Sequence, residues 1–251
     1  MESSTNEYMC WQYSSKNADF ITGISLTVLL WSDGSKNIPI QFMIYEKDSN
    51  GKPIKTKNEF ALESLQYTLK LGIIPFKVCF DSKYSSTKLL NWLNNNGLRY
   101  YSQLASNRSF NGQQLKMHRF QPYAESGYLK GVGHRVSVAK YCKRYYVTDA
   151  TEKSITRQQI VKEYRDRWKI EVLFRNLKQL CHEYNNFGEC QNYRTIAQKH
   201  YIYVCLQALM LHERQNKRSL YEAKKYFQQK FIGIKHNGYK ALRLLDSLFL
   251  L

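Results

Sequence analysis

Apolar residues recur along this chain with two periods, near two and near 3.6, and the switches between them mark out strands and helices. Over residues 19–45, two runs rich in Ile, Leu, Val and Phe flank Ser32, Asp33, Gly34 and Ser35. That turn chemistry suits positive φ and predicts a β-hairpin, with Pro39 favouring an edge position or a strand start. Residues 1–17 are polar and turn-rich around one apolar island, Cys10 to Tyr13, and read as a loop entering the fold. After a polar connection over 47–57, Thr56 and Glu59 form a capping-box pair, opening a helix that closes near Gly72. The apolar run 73–80 predicts a strand with Asp81 at its carboxyl end. Ser85 or Ser86 then caps a helix reaching Leu93 and closed by Gly97. This alternation is an α/β pattern.

The longest helical pattern covers residues 156–180. Thr156 and Gln159 fit a second capping box, no Gly or Pro interrupts, and Ile170, Leu173, Leu177 and Leu180 share one side. One continuous helix is predicted. At about 100° per residue, Tyr164, Arg167, Glu171 and Lys178 fall within an arc of roughly 60°, with Arg175 at its edge. A single carboxylate thus stands in a row of cations. Taken alone, the row reads as a solvated stripe in which Arg167 and Arg175 pair with Glu171 across one turn. Between Asp81 and this helix, residues 98–150 read as short strands (98–104, 132–141, 144–148) joined by basic turns. Beyond it come a second long helix over 193–213, with Ile196, Tyr203, Leu206 and Met210 as apolar positions, and a basic, aromatic, partly helical tail over 217–251.

With 251 residues and 43% hydrophobic content the chain can bury a core, as one large domain or two small ones. Lys and Arg number 38 against 20 acids, a net charge of +18 spread along the sequence, which points to a polyanionic partner and foremost to nucleic acid. Twenty tyrosines interleaved with these cations suit backbone and base contacts as well as core positions. The six cysteines show no short paired spacing, which implies a reduced, cytoplasmic setting. Cys181, His182 and Cys190 lack the second ligand pair a zinc site needs, and His118 and His134 are isolated. Residues 201–211 form the most apolar long run. It is too short for a bilayer and carries Gln207, so no membrane segment is expected.

The spacing Tyr164, Arg167, Glu171, Lys178 (Tyr-x2-Arg-x3-Glu-x6-Lys) resembles the signature of bacterial insertion-sequence transposases of the DDE type. The context Val78 to Tyr84 around Asp81 resembles the second acidic motif of the same family. The resemblance covers nearly the whole chain. It implies an RNase H-like α/β catalytic core over 1–97 and 151–216, a β-rich insertion over 98–150, C-terminal helices and the tail over 217–251. It further implies that Asp81 and Glu171 are catalytic metal ligands of a two-metal Mg2+ or Mn2+ site. Tyr164, Arg167, Arg175 and Lys178 would hold DNA phosphates, and Lys116, Arg119, Lys130, Arg135, Lys140, Lys143 and Arg144 would make the insertion a DNA-contacting flap. Transposon ends and target DNA are the implied partners, with a homodimer processing both ends together. The general chemistry agrees, since phosphoryl transfer needs hard carboxylates for a divalent metal and cations for the polyanion.

The family's first catalytic Asp has no counterpart here. Asp19 stands at the mouth of the hairpin, Asp33 in its turn, and Glu2 follows no strand. The expectation is therefore an N-terminally truncated, inactive transposase lacking the first strand of its core. Loss of a central strand would leave its neighbours' backbone groups unpaired and the chain marginally stable. The alternative expectation is a non-catalytic DNA-binding remnant that occupies element ends.

Overall fold

The computed structural model describes residues 10–14, 19–23, 25–48, 52–151, 155–182, 205–206 and 209–210, and of 10–14, 19–23 and 178–182 the backbone. Two compact units divide the chain: residues 1–25, 30–40 and 172–251 in one, and 26–29 and 41–171 in the other.

In the first unit, β1 (Cys10–Ser14) and β2 (Asp19–Gly23) pair antiparallel, Cys10 opposite Gly23 and Ser14 opposite Asp19. The segment read as an entering loop therefore contains a strand. Its Trp and Tyr residues are strand formers, as are Thr22 and Phe20, which stand opposite Trp11 and Tyr13 in the register. The apolar run that follows is two strands, β2 and β3 (Leu26–Ser32), because Gly23 brings no side chain to pack and weakens the strand there. β3 pairs with β4 (Asn37–Ile44), and these two strands pass from one unit into the other. Their turn forms as the pattern predicts: Asp33 Oδ1 accepts the N–H groups of Ser35 and Lys36 at 2.8 and 2.7 Å, and Gly34 takes φ +102°. Of the helix expected over 193–213, only residues 205–206 and 209–210 are described. They are helical, with Cys205, Leu206 and Leu209 buried. The tail over 217–251 lies outside the described residues.

The second unit is built on a mixed five-stranded sheet. Helix α1 (Lys57–Lys70) starts at the Thr56–Glu59 capping box, and α2 (Thr87–Asn95) starts at Ser86. Both close with a glycine at positive φ followed by the same bond pair: Gly72 and Ile73 N–H reach the Leu69 and Thr68 carbonyls, and Gly97 and Leu98 N–H reach those of Asn94 and Leu93. Between the helices, β5 is only Val78–Phe80, shorter than the apolar run suggests. Pro75 has no N–H to give a ladder, and Ile74 and Phe76 are 78% and 87% exposed. β5 runs parallel to β6 (Tyr100–Leu104), which pairs antiparallel with β11 (Arg144–Thr148). β10 (Val136–Tyr141) and β9 (Glu125–Gly127) complete the order β5-β6-β11-β10-β9. A small ladder of β7 (Ser109–Phe110) and β8 (Gln113–Gln114) lies between β6 and β9 in the chain. Among the described residues β5 pairs only with β6 and forms one edge of the sheet.

Alternation along these strands supplies two apolar faces. One presents Phe80, Tyr100, Val138, Tyr145 and Val147 to Leu62 and Leu65 of α1 and to Leu89, Leu90 and Leu93 of α2. The other presents Tyr101, Ala139 and Tyr146 to Ile160, Val161 and Tyr164. The fold is thus mixed α/β, with helices on both faces of the sheet. Leu93 has no exposed surface. We expect Leu93→Ala to lower unfolding free energy by about 2–5 kcal/mol in urea titration, and Ile74→Ala to change it by less than about 0.5 kcal/mol.

Candidate active site

Asp81 follows directly on the carboxyl end of β5, where α/β sheets place their ligands. Its carboxylate Oδ1 accepts the Lys83 N–H at 2.7 Å, and its carbonyl accepts the Tyr84 N–H at 3.1 Å. Behind it, the Ser85 and Ser102 hydroxyls lie 2.6 Å apart, with Ser102 3.0 Å from the Phe80 carbonyl and Ser85 2.6 Å from that of Gln103. Ser102 is fully buried. The turn therefore fixes Asp81 through backbone and serine contacts.

The predicted single helix over 156–180 is two. Helix α3 (Arg157–Tyr164) opens at the Thr156–Gln159 capping box, a 3-10 turn occupies Arg165–Arg167, and α4 (Trp168–His182) follows. Contacts from across the fold meet the chain at this break. In a continuous α-helix the Glu163 carbonyl would accept the Arg167 N–H. Here it faces Lys77 Nζ at 3.4 Å and Cys79 Sγ at 3.5 Å. Lys77 Nζ also bridges Glu163 Oε2 at 2.5 Å and Asp166 Oδ2 at 2.6 Å. One ammonium gripping residues i and i+3 favours the eclipsed spacing of a 3-10 turn.

The break changes the charged row. Tyr164 ends α3 and is buried, its ring 5.2 Å from that of Tyr146 in an edge-on contact. Arg167 ends the turn, lies over the Tyr164 ring at 5.5 Å, and pairs with Glu171 in the first turn of α4. Leu173 and Leu177 are buried on α4, whereas Arg175 is exposed. Arg175 and Lys178 belong to the other unit, and the Lys178 and Leu180 side chains lie outside the described residues.

Electrostatics tie Asp81 to this group. Burial is the main cause pushing the Tyr164 hydroxyl up to about 12; the Asp81 carboxylate acts in the same direction and the Arg167 guanidinium against it. For Arg167, burial works against the charge, but Glu171 foremost, with Tyr164 and then Asp81, outweighs it and the guanidinium is held more firmly protonated than usual. Both carboxylates thus bear on one guanidinium. Among the described residues, Tyr164 Oη and Arg167 Nε are buried without a hydrogen-bond partner. Tyr164, Arg167 and Glu171 thus stand together, and the Asp81 carboxylate acts on the first two through space. No group of three His, Cys, Asp or Glu suited to a metal occurs among the described residues. Asp33 spends its carboxylate on its own turn, and the Asp19 side chain and Glu2 lie outside the description.

A family model described as a transposase DDE domain matches residues 33–197, more than half of the chain. The chain belongs to that family. A search of the curated proteins finds no match. DNA is the partner that membership in a transposase family implies, and transposase DDE domains generally use divalent metal ions. No described helix of this DDE domain is long and apolar enough to cross a membrane.

Three residues that the sequence pattern did not single out, Lys77, Glu163 and Asp166, prove central to how the DDE domain sets α3 and α4. Their only sequence signal is acids at i and i+3 beside Tyr164, because the cation they share lies 86 positions upstream. Asp166 is held below its ordinary 3.8, first by its hydrogen bond from Lys77. That pairing therefore contributes stability above the unfolded value and loses it as pH falls through the lower folded value. The melting-temperature gap between wild type and Asp166→Asn should be open at neutral pH and close on acidification through this range. Because the Tyr164 hydroxyl has no partner, Tyr164→Phe should be neutral to within about 1 kcal/mol or stabilising in thermal unfolding.

Proposed function

We propose that this transposase DDE domain cuts and joins DNA at the ends of a mobile element by metal-assisted phosphoryl transfer, Asp81 and Glu171 holding the divalent ion. The observation that supports the reading is the Arg167–Glu171 pair within electrostatic reach of Asp81, beside a buried hydroxyl and a guanidinium Nε that lack partners. Two hard carboxylates fit Mg2+ or Mn2+, which takes one or two such ligands and completes its shell with water and substrate phosphate oxygens. A second ion would draw on further acids than the described residues bring together. Bound there, the ion would supply Lewis acidity and ease deprotonation of an attacking water or 3′-hydroxyl.

The chain's own groups do the rest. Arg167 orients the Glu171 carboxylate, and its free Nε with Tyr164 Oη donates to the phosphate under attack. Tyr164 stays protonated at neutral pH and acts as a donor only. Arg175 and Lys178 would each hold a DNA backbone phosphate, as the Tyr-Arg-Glu-Lys spacing suggests, and the core would be RNase H-like. Two copies acting together would process both ends.

With duplexes cut from the DNA on either side of its gene, the full chain should cleave only with Mg2+ or Mn2+. Glu171→Ala or Asp81→Ala should lower the rate by at least about 10²-fold while leaving DNA binding in place. Tyr164→Phe should lose cleavage without losing stability. Equal cleavage by Glu171→Ala, or in excess chelator, would overturn the reading.

A further inference from the structure

Lys77 stands just before β5, on the same stretch of chain that ends in Asp81, and its side chain is 17% exposed. An ammonium has three N–H donors. Three acceptors meet this one: Glu163 Oε2 at 2.5 Å, Asp166 Oδ2 at 2.6 Å and the Glu163 carbonyl at 3.4 Å. All three belong to the α3–α4 joint. A single carboxylate would suffice to neutralise the charge. The second carboxylate and the carbonyl fix direction, since a tetrahedral group tied at three points cannot swivel.

We propose that Lys77 is a positioning residue for phosphoryl transfer: it clamps the α3–α4 joint to the strand that ends in Asp81, and so sets where Arg167 and Glu171 stand relative to that carboxylate. The joint is one turn before Glu171 and the clamp is four residues before Asp81, so each end of the clamp is rigidly linked to one of the two acids. The proposal rests on the reading that these acids hold the ion. Without the clamp, the Glu163 carbonyl returns to the Arg167 N–H, α3 and α4 tend to merge, and Arg167 and Glu171 rotate away from the Asp81 turn.

The test compares wild type, Lys77→Met and Lys77→Arg as full chains. Three quantities are measured: amide hydrogen exchange across residues 165–168, Mn2+ binding to the DNA-free protein by water-proton relaxation, and kcat with KM for cleavage. Lys77→Met should change exchange at the joint by about tenfold or more and weaken Mn2+ binding by about 10–100-fold. It should lower kcat by up to about 10²-fold with KM within about twofold of wild type. Lys77→Arg, which can still bridge the two carboxylates, should recover most of each loss. Should Lys77→Met not fold, Glu163→Gln takes its place, with the same changes at smaller size. Exchange and Mn2+ binding like wild type in the folded variant overturn the clamp, as does a matched loss in kcat and KM that Lys77→Arg does not rescue. If wild type neither binds Mn2+ nor cleaves, the metal reading fails, and the exchange comparison alone decides whether Lys77 sets the joint.

Discussion

The face of α3 that buries Ile160, Val161 and Tyr164 against Tyr101, Ala139 and Tyr146 leaves the helix little freedom to slide. Sliding by one residue turns a helix by about 100° and would carry Ile160, which has no exposed surface, off the sheet. That seat determines where the chain emerges from α3. Everything chemically interesting downstream, Arg167 and Glu171 above all, is placed by this contact and by the short turn that follows it. The sheet in turn owes its two-sidedness to strand alternation, which sends Tyr100 and Tyr145 to one core and Tyr101 and Tyr146 to the other.

Features whose causes are local were legible in the chain. Both capping boxes, the Ser86 cap and the closing glycines at 72 and 97 depend on residues within a few positions of one another, and each forms as its pattern implies. The turn at Asp33 belongs to the same class. The short extent of β5 was in principle legible too, because Pro75 sits inside the apolar run and cannot donate. What the chain could not disclose was caused at a distance. The break between α3 and α4 sits where a lysine 86 positions before Glu163 grips the chain, and nothing in the periodicity of residues 156–180 marks it. Tyr164 looked like part of a solvated stripe because helical spacing placed it beside Arg167 and Glu171. Its burial depends on Tyr146, whose neighbourhood is fixed by sheet order and not by spacing.

The same division runs through the candidate site. Asp81 was visible as an acid at the end of an apolar run. The serine pair that braces it, Ser85 with Ser102, was not, because the two meet only when β5 and β6 pair in parallel. Backbone groups and neutral hydroxyls hold the Asp81 turn; aromatic packing holds Tyr164. Neither scaffold uses the carboxylate of Glu171 as a support, and Arg167 adds to one of them only a contact over the Tyr164 ring.

That separation bears on how the ion pair between Arg167 and Glu171 could be both a helix contact and part of the proposed site. An i,i+4 pair of this kind contributes only about 0.3–0.5 kcal/mol when exposed, and here the pair is partly buried, with side chains 22% and 37% accessible. Desolvation takes back part of the Coulomb gain as burial increases. The pair is therefore weak compared with what a divalent cation offers Glu171 or a phosphate offers Arg167, and either ligand can displace it without unseating α3 or the Asp81 turn. A site whose reacting groups were also its structural supports would have to loosen its fold to bind. On the proposed reading, the Arg167–Glu171 contact is small enough to exchange for a ligand while α3 and the Asp81 turn stay seated.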